Sequence, residues 1–243
     1  MDTNKTYILK TLVGSHAYGT ATDESDRDEL RVFLAGPNHY LGLANTKNSH
    51  KIVGVDDIQE YEFRNFISLC LDCNPNVVIA LFVKPEHILY RDKFGRELLD
   101  FRYSFISKKV YHTFFGYANS LRKRMHGITT GKMGQKRKEL KEKFGYDTKY
   151  AYHTVRLLRM CHECLDTGEL NVYRPDSREL YRIREGEFTL KEVEQIIYAE
   201  MDLCDTALLK TKVPDEPNYN LINEIVKSCV YTHCKEHMEC MEK

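Results

Sequence analysis

The 243-residue chain is 42% hydrophobic and 30% charged with no net charge, a profile that excludes a disordered or fibrous protein and leaves room for one large or two small domains. No apolar run reaches the roughly 18–20 residues that span a bilayer, and Met1 to Lys5 is not an apolar secretory segment, so the expectation is a cytoplasmic protein. Eight cysteines without a framework spacing fit reduced thiols rather than a disulfide scaffold.

In chain order, Thr6 to Val13 reads as a helix end or a first strand and runs directly into Gly14-Ser15. Asp28 to Ala35 alternates as a strand does and is stopped by Gly36-Pro37. A third strand candidate runs through Val55 and Asp57 to Tyr61. Arg64 to Cys73 is then predicted helical, because Phe63, Phe66, Ile67 and Cys70 recur at helical spacing. Asn74-Pro75 predicts the start of a short helix reaching Phe82.

Beyond Lys93 the pattern becomes helical. Ser107 can cap a helix through Met125, and Asp147 one that ends at Gly168. Thr189 and Glu192 have capping-box spacing, and Pro214 and Pro217 precede a last helix from about Leu221 to Met241. Gly127 to Gly134 and Asn171 to Glu187 read as mobile linking loops. The order of elements predicts an α+β catalytic domain over residues 1–100 and a helical domain over 101–243.

Chemistry concentrates between Val13 and Leu34, V-G-S-H-A-Y-G-T-A-T-D-E-S-D-R-D-E-L-R-V-F-L. Asp26 and Asp28, at i and i+2 on an extended segment, share a face about 6.5–7 Å apart along the backbone. Such carboxylates suit Mg²⁺ or Mn²⁺, hard cations that take oxygen ligands and retain water or phosphate. Gly14 lets a phosphate approach the backbone, and Ser15 adds a hydroxyl and an N–H donor. Either element alone is common in loops and turns; their combination is what points to phosphoryl chemistry.

Gly-Ser followed some ten residues on by Asp-x-Asp at the entry to a hydrophobic strand resembles the active-site signature of the DNA polymerase beta nucleotidyltransferase superfamily. Four blocks in one order carry the likeness further: G-S-H-A-Y-G-T-A-T-D-E-S-D-R-D, N-P-N-V at Asn74 to Val77, F-G-Y-D-T-K-Y-A-Y-H-T-V-R-L-L-R at Phe144 to Arg159, and T-G-E-L at Thr167 to Leu170. Together they resemble the RNA-ligase-associated, RNA-repair nucleotidyltransferases of bacteria and phages. The resemblance implies a polymerase-beta-like fold with a mixed sheet, and metal-dependent transfer of a nucleoside monophosphate from an NTP to an acceptor hydroxyl. An RNA 3′ end, such as that of a tRNA, is the acceptor it favours. Adenylylation of a protein or small molecule is the alternative within the same chemistry, and a non-catalytic nucleotide- or RNA-binding module is the alternative outside it.

A third carboxylate from a neighbouring strand is also implied. By position before R-N-F-I-S-L, Asp57 is the best match, with Asp56 and Glu60 as competitors because a one-residue slip reverses the faces. Where many relatives carry an acid soon after Asn-Pro, this chain has Ile79.

Between Phe101 and Met160 stand fifteen Lys or Arg and three acids, a basic stretch suited to a polyanion or to a solvated helix face. Lys149, His153 and Arg156 fall at i, i+4 and i+7, making Lys149 the first candidate for the NTP triphosphate and Arg156 the second, with help from Arg122 and Lys123. The lysines of Gly127 to Lys143 are the candidate RNA contacts. His16 and Tyr18, inside the phosphate loop, are candidates for a base or ribose contact. Cys161, His162 and Cys164, and His233, Cys234, His237 and Cys240, are zinc-type residues on helical spacing, where buried thiols are the default.

Overall fold

The computed structural model describes residues 5–23, 25–44, 46–47, 49–52, 57–127 and 135–241. The chain is α+β, and it divides into two compact units, one of Met1–Ile106 with Glu216–Lys243 and one of Ser107–Asp215.

In the first unit, β1 (Thr6–Leu12) leads to a one-turn helix, α1 (Gly14–Tyr18), then β2 (Asp28–Leu34), α2 (Pro37–Leu41), β3 (Ser49–Ile52), β4 (Asp57–Glu62) and α3 (Phe63–Leu71). A short edge strand, β5 (Ile88–Arg91), and α4 (Lys93–Asp100) follow. Among the described residues the sheet has five strands in the order β3-β4-β2-β1-β5. Only β2 and β4 run parallel; the other neighbours are antiparallel. The first segment is therefore a strand, not a helix end.

Helix α3 buries Phe63, Phe66, Ile67 and Cys70, the four positions its spacing picks out. It starts where the Glu62 side chain accepts the Asn65 N–H at 3.1 Å. Gly95 of α4 lies against β1, where a Cβ would stand 2.0 Å from the Ile8 carbonyl oxygen, so this crossing requires glycine. Asn74-Pro75 opens a turn rather than a helix. The chain tightens into a 3₁₀ turn over Val78–Leu81, with all four side chains buried, because an apolar run with no polar face cannot lie along a surface.

The last helix, α10 (Tyr219–Met241), belongs to this first unit. It buries Ile222, Ile225, Cys229, His233 and Cys234, and the His233 imidazole donates through Nε2 to the Ala35 carbonyl at 2.9 Å. The grouping thus differs from a single break at residue 100: the apolar face of α10 finds its cover on α2 and on the 3₁₀ turn at Arg102–Phe105.

The second unit is helical. A π-helical turn at Tyr111–Phe115 runs into α5 (Gly116–Met125), and α6 (Gln135–Phe144), α7 (Thr148–Thr167), α8 (Ser177–Arg184) and α9 (Leu190–Lys210) follow. Helix α7 is its centre. Asp147 caps it through the Tyr150 N–H at 3.0 Å, Gly168 ends it, and α5, α8 and α9 pack around it. The capping box of α9 is present, with both Thr189 and Glu192 bonded to each other's backbone.

Asn171 to Glu187 is not a loose loop. Arg174 is 1% exposed and grips both oxygens of Glu163 at 2.6 and 2.7 Å and Asp176 at 2.8 Å. Arg159 reaches Asp176, Glu179 and Glu200 from α7. Charge alternation concealed this segment, because its order rests on ion pairs with distant residues rather than on an apolar stripe. The linking stretch Gly127 to Gly134 falls, apart from Gly127, outside the described residues. No described helix is long and apolar enough to cross a membrane.

Candidate active site

The site is built where β2 and β4 begin. The two strands run parallel with Asp28 directly opposite Asp57. Neighbouring strands lie about 4.8 Å apart, and residues in register point to one face, so the two carboxylates stand side by side. Both are within reach of solvent, Asp57 with 45% of its side chain exposed. Asp26 is exposed two residues before β2.

The segment before β2 folds back on itself. The Val13 N–H donates to the Asp28 carbonyl at 3.0 Å, fixing the end of β1 against the start of β2. Gly14 has φ +64°, and a Cβ there would sit 2.1 Å from Asp28 Oδ2. Glycine is thus required twice, by the left-handed backbone and by the carboxylate pressed against it. Thr20 N–H returns to the Ser15 carbonyl at 3.0 Å, closing the loop around α1. Tyr18 of this loop is 5% exposed and packs inward, whereas His16 is partly exposed.

Alternation on β4 separates the acids. Glu60 is 2% exposed and held by Tyr7 Oη and by Lys5 Nζ, the latter at 2.9 Å. Burial alone would raise the Glu60 pKa, but the hydrogen bonds from Tyr7 and Lys5 outweigh it and hold the carboxyl below its ordinary value. Burial and the same bond push the Tyr7 hydroxyl up to about 12. Glu60 is therefore committed to the sheet interior, on the face away from Asp28. Glu62 is buried as well, accepting from Tyr40 Oη at 2.7 Å as it caps α3. Asp56 lies outside the described residues.

One charged neighbour is absent from the sequence reading. Lys51 of β3 places Nζ 2.7 Å from Asp57 Oδ2, and its pKa is raised by that hydrogen bond, by the Asp57 charge and, more weakly, by Asp28. Its only sequence signal is a lysine in a four-residue strand, too short to show alternation.

Among the described residues no three His, Cys, Asp or Glu side chains converge into a closed metal cage. Asp28 and Asp57 nevertheless offer an all-oxygen, solvent-open donor set, with Asp26 adjacent in sequence. That set fits a hard divalent cation that keeps water or phosphate among its ligands, and does not resemble a nitrogen- or sulfur-ligated site.

The remaining candidates lie in the helical unit. Lys149 is exposed in the first turn of α7, with His153 partly exposed. Arg156 is 3% exposed and its Nη1 lies 3.3 Å from Met160 Sδ, so it does not share a solvent-facing stripe with Lys149. Arg122 Nη1 donates to Tyr198 Oη at 3.0 Å, while Lys123, Arg124 and Lys143 are exposed. Of the proposed RNA-facing segment, residues 128–134 lie outside the described residues.

The cysteine and histidine groups sit on continuous helix, as their spacing predicts. Cys161 and Cys164 are buried, and Cys204 Sγ donates to the Leu158 carbonyl at 3.3 Å. His162 pairs with Glu200 at 3.1 Å, and His233 is turned to Ala35 as described above.

No curated protein matches the chain. Among solved structures, it is similar to a nucleotidyltransferase-like protein from Exiguobacterium sibiricum 255-15, at 14% identity over 86% of this chain and 70% of that one, with a TM-score of 0.30. The model of the RNA repair pathway DNA polymerase beta family matches residues 2–204. A match of that extent takes in the paired strands at Asp28 and Asp57 and nearly all of the helical unit: the chain belongs to the RNA repair pathway DNA polymerase beta family and is a nucleotidyltransferase.

Proposed function

We propose that this nucleotidyltransferase moves a nucleoside monophosphate from an NTP to the 3′ hydroxyl of an RNA and releases pyrophosphate. The observation that carries the reading is the register of β2 and β4, which sets Asp28 beside Asp57 where the two strands begin, with the Gly14 backbone against Asp28.

Asp26 and Asp28 would hold divalent cations, with Asp57 as the third carboxylate. Bound Mg²⁺ or Mn²⁺ supplies Lewis-acid stabilisation of charge on the phosphates and favours ionisation of the attacking hydroxyl. Asp57 orients that hydroxyl and takes its proton on a carboxylate oxygen, passing it to solvent. The hydroxyl oxygen forms a bond to the α-phosphorus while the bond from the α-phosphorus to the bridging oxygen breaks. The electron pair leaves with pyrophosphate. The Gly14-Ser15 backbone and the Ser15 hydroxyl would meet phosphate oxygens, and Lys149, which is exposed, would be a cation for the triphosphate.

RNA as acceptor is supported by the repair family and by exposed Lys123, Arg124, Lys143 and Lys149 within a basic stretch. The test is incubation of each of four α-labelled NTPs with total RNA and with total protein, using Asp26→Ala and Asp28→Asn as controls. Asp28-dependent label at RNA 3′ ends is the expected result. Asp28-dependent label in protein instead would replace the acceptor by a side chain.

A further inference from the structure

The geometry points to Lys51 as a built-in counter-cation of the carboxylate pair, one that makes metal binding wait for the nucleotide. This rests on Asp28 and Asp57 being metal ligands.

Two carboxylates in register on adjacent strands repel each other, and the repulsion is strongest when nothing cationic is bound. Strand β3 answers this. It pairs antiparallel with β4 so that Lys51 lies opposite Gln59, which shares a face with Asp57 by strand alternation. The Lys51 side chain then reaches along that face, and its ammonium settles on Asp57 Oδ2 at 2.7 Å. Another lysine–carboxylate pair of the sheet, Lys5 with Glu60, is on a buried acid and serves packing. The Lys51–Asp57 pair is different: both side chains are about half exposed, at 55% and 45%. Ion pairs so open to water contribute little to stability, so the fold does not depend on this one.

An ammonium on a metal ligand competes with the metal. A bare divalent cation must displace Lys51 and leave it without a partner. A metal–nucleotide complex also displaces it, but brings phosphate oxygens that accept the freed ammonium. Lys51 therefore weakens binding of the bare cation and spares, or favours, binding of the cation with NTP. Lys51 acts here as a positioning residue, and it couples the two ligands in a reciprocal manner.

The test is Mn²⁺ titration of the full chain, following free Mn²⁺ by electron paramagnetic resonance, with and without an α,β-methylene NTP analogue. Wild type, Lys51→Met, Lys51→Arg and Asp28→Asn are compared. Without nucleotide, Lys51→Met is expected to bind Mn²⁺ about two- to fivefold more tightly than wild type, the range one exposed ion pair supplies. With the analogue that advantage disappears or reverses, and Lys51→Arg behaves as wild type in both conditions. Lys51→Met binding bare Mn²⁺ no more tightly, while Asp28→Asn still weakens it, would overturn the role of Lys51 alone. Equal Mn²⁺ binding by wild type and Asp28→Asn in both conditions would remove the carboxylate site itself, and this inference with it.

Discussion

Gly14 lies so close to the Asp28 carboxylate that a Cβ on residue 14 would stand 2.1 Å from Oδ2, inside any permissible contact. The smallest substitution, Gly14→Ala, must therefore move either the loop or the carboxylate, and it meets a positive φ as well. We expect kcat/KM to fall by about a hundredfold or more, the scale of a 1 Å misplacement at a reacting centre. Stability should fall by only about 1–2 kcal/mol, from the left-handed backbone. Steady-state kinetics beside thermal melts would separate the two.

The strand faces predict opposite phenotypes for neighbouring acids. Asp28→Asn and Asp57→Asn should each lower turnover by about a thousandfold, equivalent to about 4 kcal/mol of transition-state stabilisation, with melting little changed. Glu60→Gln should leave metal-dependent turnover nearly intact. It should instead destabilise the chain by about 1–3 kcal/mol, since Tyr7 and Lys5 lose a charged partner in a buried setting. Turnover loss in Glu60→Gln exceeding that in Asp57→Asn would reverse the assignment of the third carboxylate.

Asp176 gives the helical unit a defined acid sensitivity. Burial pushes its carboxyl up, but the Arg159 hydrogen bond and the Arg174 charge outweigh burial and hold its pKa below the ordinary 3.8. A carboxyl depressed in the folded state stabilises the protein at and above its unfolded pKa, and that contribution drains away as pH falls through the lower folded value. Asp176→Asn should thus cost about 1.5–3 kcal/mol at pH 7 and progressively less below about pH 4. Urea denaturation at pH 7 and pH 3 measures the difference; a cost that stayed constant between them would contradict the linkage.

His233 tests the attachment of the last helix. Replacing it by Ala removes the donor to the Ala35 carbonyl and leaves a cavity under α10. A loss of about 2–4 kcal/mol is expected. Amide exchange should rise across both Phe33 to Leu41 and Tyr219 to Met241. Faster exchange confined to α10 would mean that the bond anchors nothing beyond the helix.

What the sequence disclosed, and what it hid, follows from the range of the forces involved. Helix α3, the Asp147 cap and the Thr189–Glu192 box were readable because each is decided within four to eight residues. Asp26 and Asp28 stand out as candidates through their spacing from Gly14, but the packing reason for that glycine does not, since its clash is with a residue fourteen positions away. Strands β3 and β5 have four residues each, below the length at which alternation becomes a signal, and Lys51 was lost with β3. The order of Asn171 to Glu187 depends on Arg159 and Glu163 of α7, which no local window contains. Likewise α10 reads as one more helix in a helical series, because only its partner at Ala35 reveals which unit it completes.

The discontinuity of the first unit has a consequence for biosynthesis. Translation delivers the sheet with Asp28 and Asp57 first, yet Glu216–Lys243, which belongs to that unit, emerges only after the helical unit. The helical unit ends at Asp215, so all of its residues have left the ribosome while the α10 docking surface is still uncovered. A chain halted before Glu216 would carry every residue of the helical unit and all five described strands, but not the helix that covers α2 and the turn at Arg102–Phe105. The first unit is therefore begun before the helical unit and completed after it, and its final packing waits for residues made after Asp215.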